Sequence, residues 1–283
     1  MTAVSAPAST ANLGPGFDVL GLALSRRTVV GSGSPPPEGR ELDASHPAVV
    51  AHRAAGGSGP LWGIGGIPMG RGLGFSGAVR VAGAMLAHVQ RDGAAAAGDR
   101  RTRAEVLRLT AELEGHPDNV AASVHGGMVI ADGDLVSPAP VHLNLSVVVW
   151  VPSADSTSTD RSRATLPTVV NRADAVFNMA RVATLVTAAS AGDLALLRRS
   201  VADRLHQDIR FAAAPASAEA AAVIEQVAGV HGVWLSGSGP TVAGWVRTDE
   251  VDEVIERVTV ATGAGPDQVL GLAVDREGVR TEA

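Results

Sequence analysis

The sequence predicts an α/β protein built as a two-lobed sandwich of sheets and helices. Three observations carry this prediction. Strand-like runs alternate with stretches of helical spacing along the chain. Of its 283 residues, 46% are hydrophobic, enough for a sizeable core. A stretch with two prolines, Leu135 to Val141, interrupts the alternation near the middle. That boundary divides the chain into a first part over 1–141 and a second over 142–283.

From Thr2 to Arg27 the chain reads as two short strands around Asn12-Leu13-Gly14-Pro15-Gly16, because Gly and Pro together demand special backbone angles. Val29 to Gly59, rich in Gly, Pro and Ser, reads mostly as loop, with a short helix near His46 to Ala55. A strand around Trp62 to Ile67 leads into a glycine-rich loop. Ser76 to Val89 then has the apolar spacing of a buried helix. Arg101 to Glu114 predicts a helix with charges on one face and Leu107, Leu109 and Leu113 among its apolar positions. After the polar cluster Glu114 to Asn119, another helix runs to the Gly126-Gly127 stop, and Met128 to Ala131 resumes as strand.

In the second part, Leu143 to Val151 is a near-continuous β-prone run, the pattern of a strand buried on both faces. Helices are expected near Ala173 to Ala191, Asp193 to Leu205 and Ser217 to Val230, with Ser217 as an N-cap. Gly232 to Val246 reads as strand, loop, strand around Ser236-Gly237-Ser238-Gly239-Pro240. Val251 to Ala261 reads as a helix and Gln268 to Val274 as a closing strand.

Composition narrows the chemistry. No apolar run approaches the roughly 20 residues of a membrane span, and the N-terminus lacks the basic and apolar regions of a secretion signal. A cytoplasmic protein with no membrane partner is the expectation. Cysteine is absent, which removes disulfides, thiolate nucleophiles and cysteine-bound zinc. The net charge of −6, without long blocks of like charge, argues against a nucleic-acid partner. All 23 basic residues are arginine. A Walker A lysine, a protein-kinase strand lysine and Schiff-base catalysis are therefore excluded.

Four segments carry functional residues. In the first, Pro68 to Ala78, the alternating glycines Gly70, Gly72 and Gly74, with Arg71, Leu73 and Gly77, let backbone N–H groups converge on an anion at a helix start. Ser76 adds a hydroxyl for phosphate or Mg²⁺. A plain strand-to-helix turn would look similar. The second segment, Glu114-Gly115-His116-Pro117-Asp118-Asn119, offers Glu114 to hard Mg²⁺ and leaves His116 and Asp118 to orient or deprotonate a hydroxyl, although Asp118 or Asn119 could instead cap the next helix. Third is the small, polar loop Ser236 to Thr241. Fourth is the turn Asn12 to Asp18, whose amide and carboxylate suit an ammonium or hydroxyl. Arg163 and Arg210 are guanidinium groups of the kind that clamp carboxylates.

In this order, ASTANLGPGFDVLGLAL, PMGRGLGFSGA, EGHPDNVAASVHGG and SGSGPT resemble the motifs of the GHMP kinase superfamily, with closest similarity to its homoserine kinases. RATLP, DAVFN, GDLALLRR and DRLHQDIR, between Thr159 and Arg210, are similar to that branch specifically. The resemblance implies an N-terminal lobe like ribosomal protein S5 domain 2, a ferredoxin-like C-terminal lobe and an active site in the cleft between them. It implies ATP and Mg²⁺, an amino-acid substrate and, by analogy, a homodimer. Ser76 and Glu114 would hold the metal and the glycine loop would wrap the phosphates. The ammonium and hydroxyl of homoserine would lie near Asn12, Asp18 and His116, and its carboxylate near Arg163, Arg210 and Thr159. Asp118 is the candidate base.

The chain departs from the family over Val29 to Gly66, which looks shortened, and at Phe75, where the family usually has serine. Phe75 is expected to pack beside the nucleotide, leaving Ser76 as the essential hydroxyl. Two alternatives remain: a related kinase for threonine, shikimate or a mevalonate-type substrate, and a non-catalytic protein that binds a nucleotide or an amino acid.

Overall fold

The computed structural model describes residues 2–133, 135–153 and 159–282, without the side chains of Thr159 and Asp160. β1 (Thr2–Ala11) pairs antiparallel with β2 (Leu20–Ser32), from Thr2 opposite Ser32 to Ala11 opposite Gly21. β2 is long enough to serve two partners on its other edge. Its late half, Val29 to Ser32, pairs with β4 (Leu61–Ile64), which in turn pairs with β3 (Arg40–Glu41). Its early half, Leu20 to Leu22, pairs with β5 (Met128–Asp132), which carries β6 (Leu135–Ala139). Expected as an interruption, the two-proline stretch thus contributes a strand. Pro138 is tolerated there because β6 is an edge strand and needs no further ladder donor.

Helices α2 (Phe75–Asp92) and α4 (Asp118–His125) pack on β1 and β2, with α1 (Pro47–Ala54) and α3 (Arg100–Glu114) against α2. This layer puts the N-termini of α2 and α4 at the same end of the sheet as the β1–β2 turn.

The second sheet is antiparallel in the order β10 (Val269–Ala273), β7 (Leu145–Trp150), β9 (Val242–Arg247), β8 (Val233–Leu235). As its near-continuous apolar run predicts, β7 is buried on both faces. Val147 and Val149 join the main core, while Val148 enters a smaller core with Val254 and Val258 of α10 (Val251–Thr262) and Ile224 of α9 (Pro215–Ile224). The main core continues through Leu185 of α6 (Arg172–Ala191) and Leu197 of α7 (Leu194–Ser200) to Trp234 and Trp245, whose rings lie 5.3 Å apart. Apolar packing therefore runs unbroken from one sheet to the other.

Several boundaries differ from expectation. The helix expected to reach Leu205 stops at Ser200, because Asp203 Oδ2 accepts from the backbone N–H groups of His206 and Gln207, both at 2.8 Å, and starts α8 (Gln207–Ala212) instead. Ser217 does not cap α9. The helix begins at Pro215, and Ser217 Oγ donates to Pro240 O at 2.6 Å, tying α9 to the loop before β9. α5 (Thr159–Ala164) has no counterpart in the sequence reading. β10 is not the closing strand: β11 (Arg280–Glu282) follows and returns to the first sheet beside β1. Among the described residues no helix is long and apolar enough to cross a membrane.

Candidate active site

α2 starts after Gly74, which is left-handed at φ 67° and supplies no side-chain cap. The first N–H groups of the helix therefore face the loop without a capping acceptor of that kind. Gly72, at φ 76°, must be glycine: a Cβ would lie 2.4 Å from Ser236 O and 2.8 Å from Gly239 O. Ser236 Oγ closes the contact by donating to Gly72 O at 2.5 Å. The third motif is thus the seat of the first. Arg71 reaches away from the loop and donates to Pro152 O and Ser153 O, both at 2.7 Å, just beyond β7.

A cavity of about 310 Å³ opens over this loop. Of the residues expected at the site, Gly70, Arg71, Gly72, Gly74, Ser76, Glu114, His116, Asp118, Asn12, Asp18, Arg163 and Arg210 all line it. Phe75 lines it too, beside Pro47, with its ring edge-on to His46 at 6.2 Å. Pro68, Leu73 and Gly77 do not. Leu73 is fully buried and its carbonyl accepts from Ser9 N, while Gly77 faces Val120 of α4. The side chain of Thr159 lies outside the described residues.

α3 ends at Glu114 with Gly115 left-handed, and the chain turns directly into α4, whose first residue is Asp118. The N-cap is Pro117, so Asp118 is not a capping residue. Its Oδ1 accepts from His116 Nδ1 at 2.8 Å and from Asn119 N at 2.7 Å. Burial alone would push His116 down. The hydrogen bond and charge of Asp118 outweigh it, and the imidazole titrates above its ordinary value.

Ser76 Oγ donates to Glu114 Oε2 at 2.9 Å. An octahedral Mg²⁺ with oxygens at roughly 2.1 Å keeps neighbouring oxygens about 3 Å apart, so this hydroxyl and carboxylate fit the ion. No cluster of three or more acidic, His or Cys ligands exists among the described residues, so phosphate and water would complete its shell. Arg80, one helical turn beyond Ser76, also donates to Glu114 Oε2 at 2.6 Å and to Ser76 Oγ.

At the other end of the cavity, Asn12 takes a left-handed conformation at φ 70°, where its Oδ1 accepts from Asp18 N at 3.1 Å and its Nδ2 donates to Gly237 O at 3.0 Å. Arg210 donates to the same carbonyl at 3.0 Å. Arg163 grips Asp18 bidentately at 2.7 and 2.5 Å. Both guanidinium groups lie over Phe17, 5.6 Å (Arg163) and 5.1 Å (Arg210) from its ring centre. Burial, then the charge of Arg163, pulls Arg210 below its ordinary value.

Sequence reasoning missed the support beneath this end. His206 Nε2 donates to Gly14 O at 2.7 Å and leaves Nδ1 to accept from Arg210 at 3.3 Å, so both ring nitrogens are served in the neutral form that burial favours. Asn178 Nδ2 donates to Pro15 O at 2.9 Å. Gly14 sits so close to Val201 that a Cβ would be 2.1 Å from its carbonyl oxygen. The four-residue spacing Ser76/Arg80, which places both on one face of α2, was a legible signal for Arg80, and His206, four residues before Arg210 at the N-cap of α8, was a weaker one.

The family model described as GHMP kinases N terminal domain matches residues 50–127, and that described as GHMP kinases C terminal matches residues 185–264. The homoserine kinase of Moorella thermoacetica is 40% identical over 269 residues, covering 87% of this chain and 88% of that protein. The homoserine kinase of Clavibacter michiganensis subsp. michiganensis is 38% identical over 307 residues, covering 97% and 92%. In fold, the chain superimposes on the crystal structure of homoserine kinase from Cytophaga hutchinsonii with a TM-score of 0.79 at 24% identity, covering 99% of this chain and 97% of that one. It superimposes on a mevalonate kinase with a TM-score of 0.68 at 9% identity, covering 97% and 99%. The glycine loop, the acidic pair behind it and the paired arginines thus occur on a known scaffold, and the chain belongs to the GHMP kinases, within the homoserine kinase branch.

Proposed function

We propose that this chain transfers the γ-phosphoryl group of ATP to the side-chain hydroxyl of L-homoserine, giving O-phospho-L-homoserine for threonine synthesis. The observation that carries the reading is Asp18 held between Asn12 and Arg163, with Arg210 beside them, in the same cavity as the glycine loop. A zwitterion needs a carboxylate for its ammonium and guanidinium groups for its carboxylate, and both lie together here. The relatives named homoserine kinase support the same substrate.

The part of the loop that lines the cavity, from Gly70 to Ser76, receives the phosphates on backbone N–H groups and the N-terminus of α2, since the chain has no lysine to do so. Ser76 and Glu114 would hold Mg²⁺, which would supply positive charge to offset that of the phosphates. His116 orients the substrate hydroxyl, and Asp118, whose Oδ1 is already engaged, accepts its proton on Oδ2. A loose phosphoryl-transfer transition state makes positioning the larger contribution. The two sheets support a nucleotide-binding part over 1–141 and a second part over 142–283, with β11 crossing back. A cytoplasmic homodimer without a nucleic-acid or membrane partner belongs to the same reading.

A coupled assay of ADP formation with homoserine, threonine, shikimate and mevalonate tests it. Homoserine is expected to give the highest kcat/KM. Preference for another acceptor would reassign the substrate, and nucleotide binding without ADP formation from any acceptor would leave a binding protein.

A further inference from the structure

Arg80 has no role in the proposed chemistry, yet it stands where that chemistry needs a different cation. Its guanidinium Nη1 bridges Ser76 Oγ and Glu114 Oε2, the two oxygens whose spacing fits Mg²⁺. The ion pair is sheltered, with the two side chains 19% and 12% exposed, so solvent screens it weakly. Arg80 Nε is buried and has no hydrogen-bond partner among the described residues. The arrangement has a local origin: Ser76 and Arg80 are four residues apart on α2, and Glu114 closes the triangle from the end of α3.

We infer that Arg80 is a built-in counter-ion. It neutralises Glu114 in the nucleotide-free chain and leaves the Ser76–Glu114 edge when a metal–nucleotide complex binds. Two cations cannot share one such edge, because each would lie within about 3 Å of the other in a weakly screened place. The same arginine that keeps Glu114 from being a buried unpaired charge therefore weakens metal binding and raises the concentration of divalent cation the enzyme needs. The inference rests on the assignment of Ser76 and Glu114 to the metal.

Mn²⁺ serves as a paramagnetic probe. Its binding is titrated by EPR in the presence of a non-hydrolysable ATP analogue, with the analogue alone subtracted, for the natural chain, Arg80→Met and Glu114→Gln. Arg80→Met is expected to bind Mn²⁺ roughly tenfold more tightly, the size of one charge-assisted hydrogen bond that no longer has to break. Glu114→Gln is expected to lose most of the binding. Should Arg80→Met unfold, Arg80→Gln, which removes the charge while keeping a polar side chain, carries the same direction of change. Equal or weaker Mn²⁺ binding in the folded arginine variant, with Glu114→Gln still defective, would overturn the counter-ion role while leaving the metal site standing. Mn²⁺ binding insensitive to Glu114→Gln would instead overturn the metal assignment and the inference with it.

Discussion

His116 sits between two opposing influences, burial that disfavours its charge and Asp118 that favours it, and the second prevails. Asp118→Asn keeps the burial and removes the charge. The imidazole of His116, followed by NMR, is then expected to fall below its ordinary value near 6.5. The linkage has a definite sign. With its folded-state pKa raised, His116 contributes stability that is fully present below about pH 6.5 and is lost as pH rises through the higher folded value. The difference in urea midpoint between the natural chain and Asp118→Asn should therefore shrink across that window. If Asp118 also accepts the substrate proton, the same variant loses roughly 10²-fold in kcat, and near-full turnover would remove the base assignment. Arg163→Ala tests the other end of the cavity. Losing a bidentate charged partner should raise KM for homoserine tenfold or more and leave KM for ATP nearly unchanged, as read from initial rates.

Among the elements, the glycine loop has its shape imposed by a neighbour distant in sequence. Gly72→Ala places a methyl group against the carbonyl oxygens of Ser236 and Gly239 and strains a positive φ. A loss of about 1–3 kcal/mol by chemical denaturation is expected, together with weaker nucleotide binding, because the seat of the loop is displaced. Helix starts and stops followed local rules where the cap was local. Asp99, which accepts from Thr102 N at 2.8 Å ahead of α3, is such a case. Those rules failed where a side chain had a better distant partner, as when Ser217 turned to Pro240 O.

The whole molecule is closed by its two ends. β11 pairs with β1 from Ala3 opposite Glu282 to Ser5 opposite Arg280. Behind it, Arg27 pairs with Asp275 and also donates to Gly278 O at 2.7 Å and Ser5 Oγ at 2.9 Å, with the ion-paired side chains 13% and 9% exposed. Breaking one side of such a sheltered pair leaves a poorly solvated charge. Asp275→Asn should therefore cost about 3 kcal/mol, measured as a shift of the urea midpoint without a change in slope. An unchanged midpoint would show that the C-terminal segment does not help hold the first sheet together.

Local order was largely readable from the chain, because a period of two, a helical period and Gly or Pro punctuation act over a few residues. The doubly buried β7, the glycine loop leading into α2 and the polar turn from Glu114 to Asp118 all belong to this class. Which residues would meet was not readable by those rules, since contact between distant segments depends on the packing of the sheets. Asp18 meets Arg163, 145 positions away, and Asn12 shares Gly237 O with Arg210. The glycine loop was legible as a turn of alternating glycines leading into a helix. That it is seated on Ser236, with Arg80 paired to Glu114 behind it, follows from three-dimensional packing, in which a side chain takes the nearest partner of suitable charge and geometry.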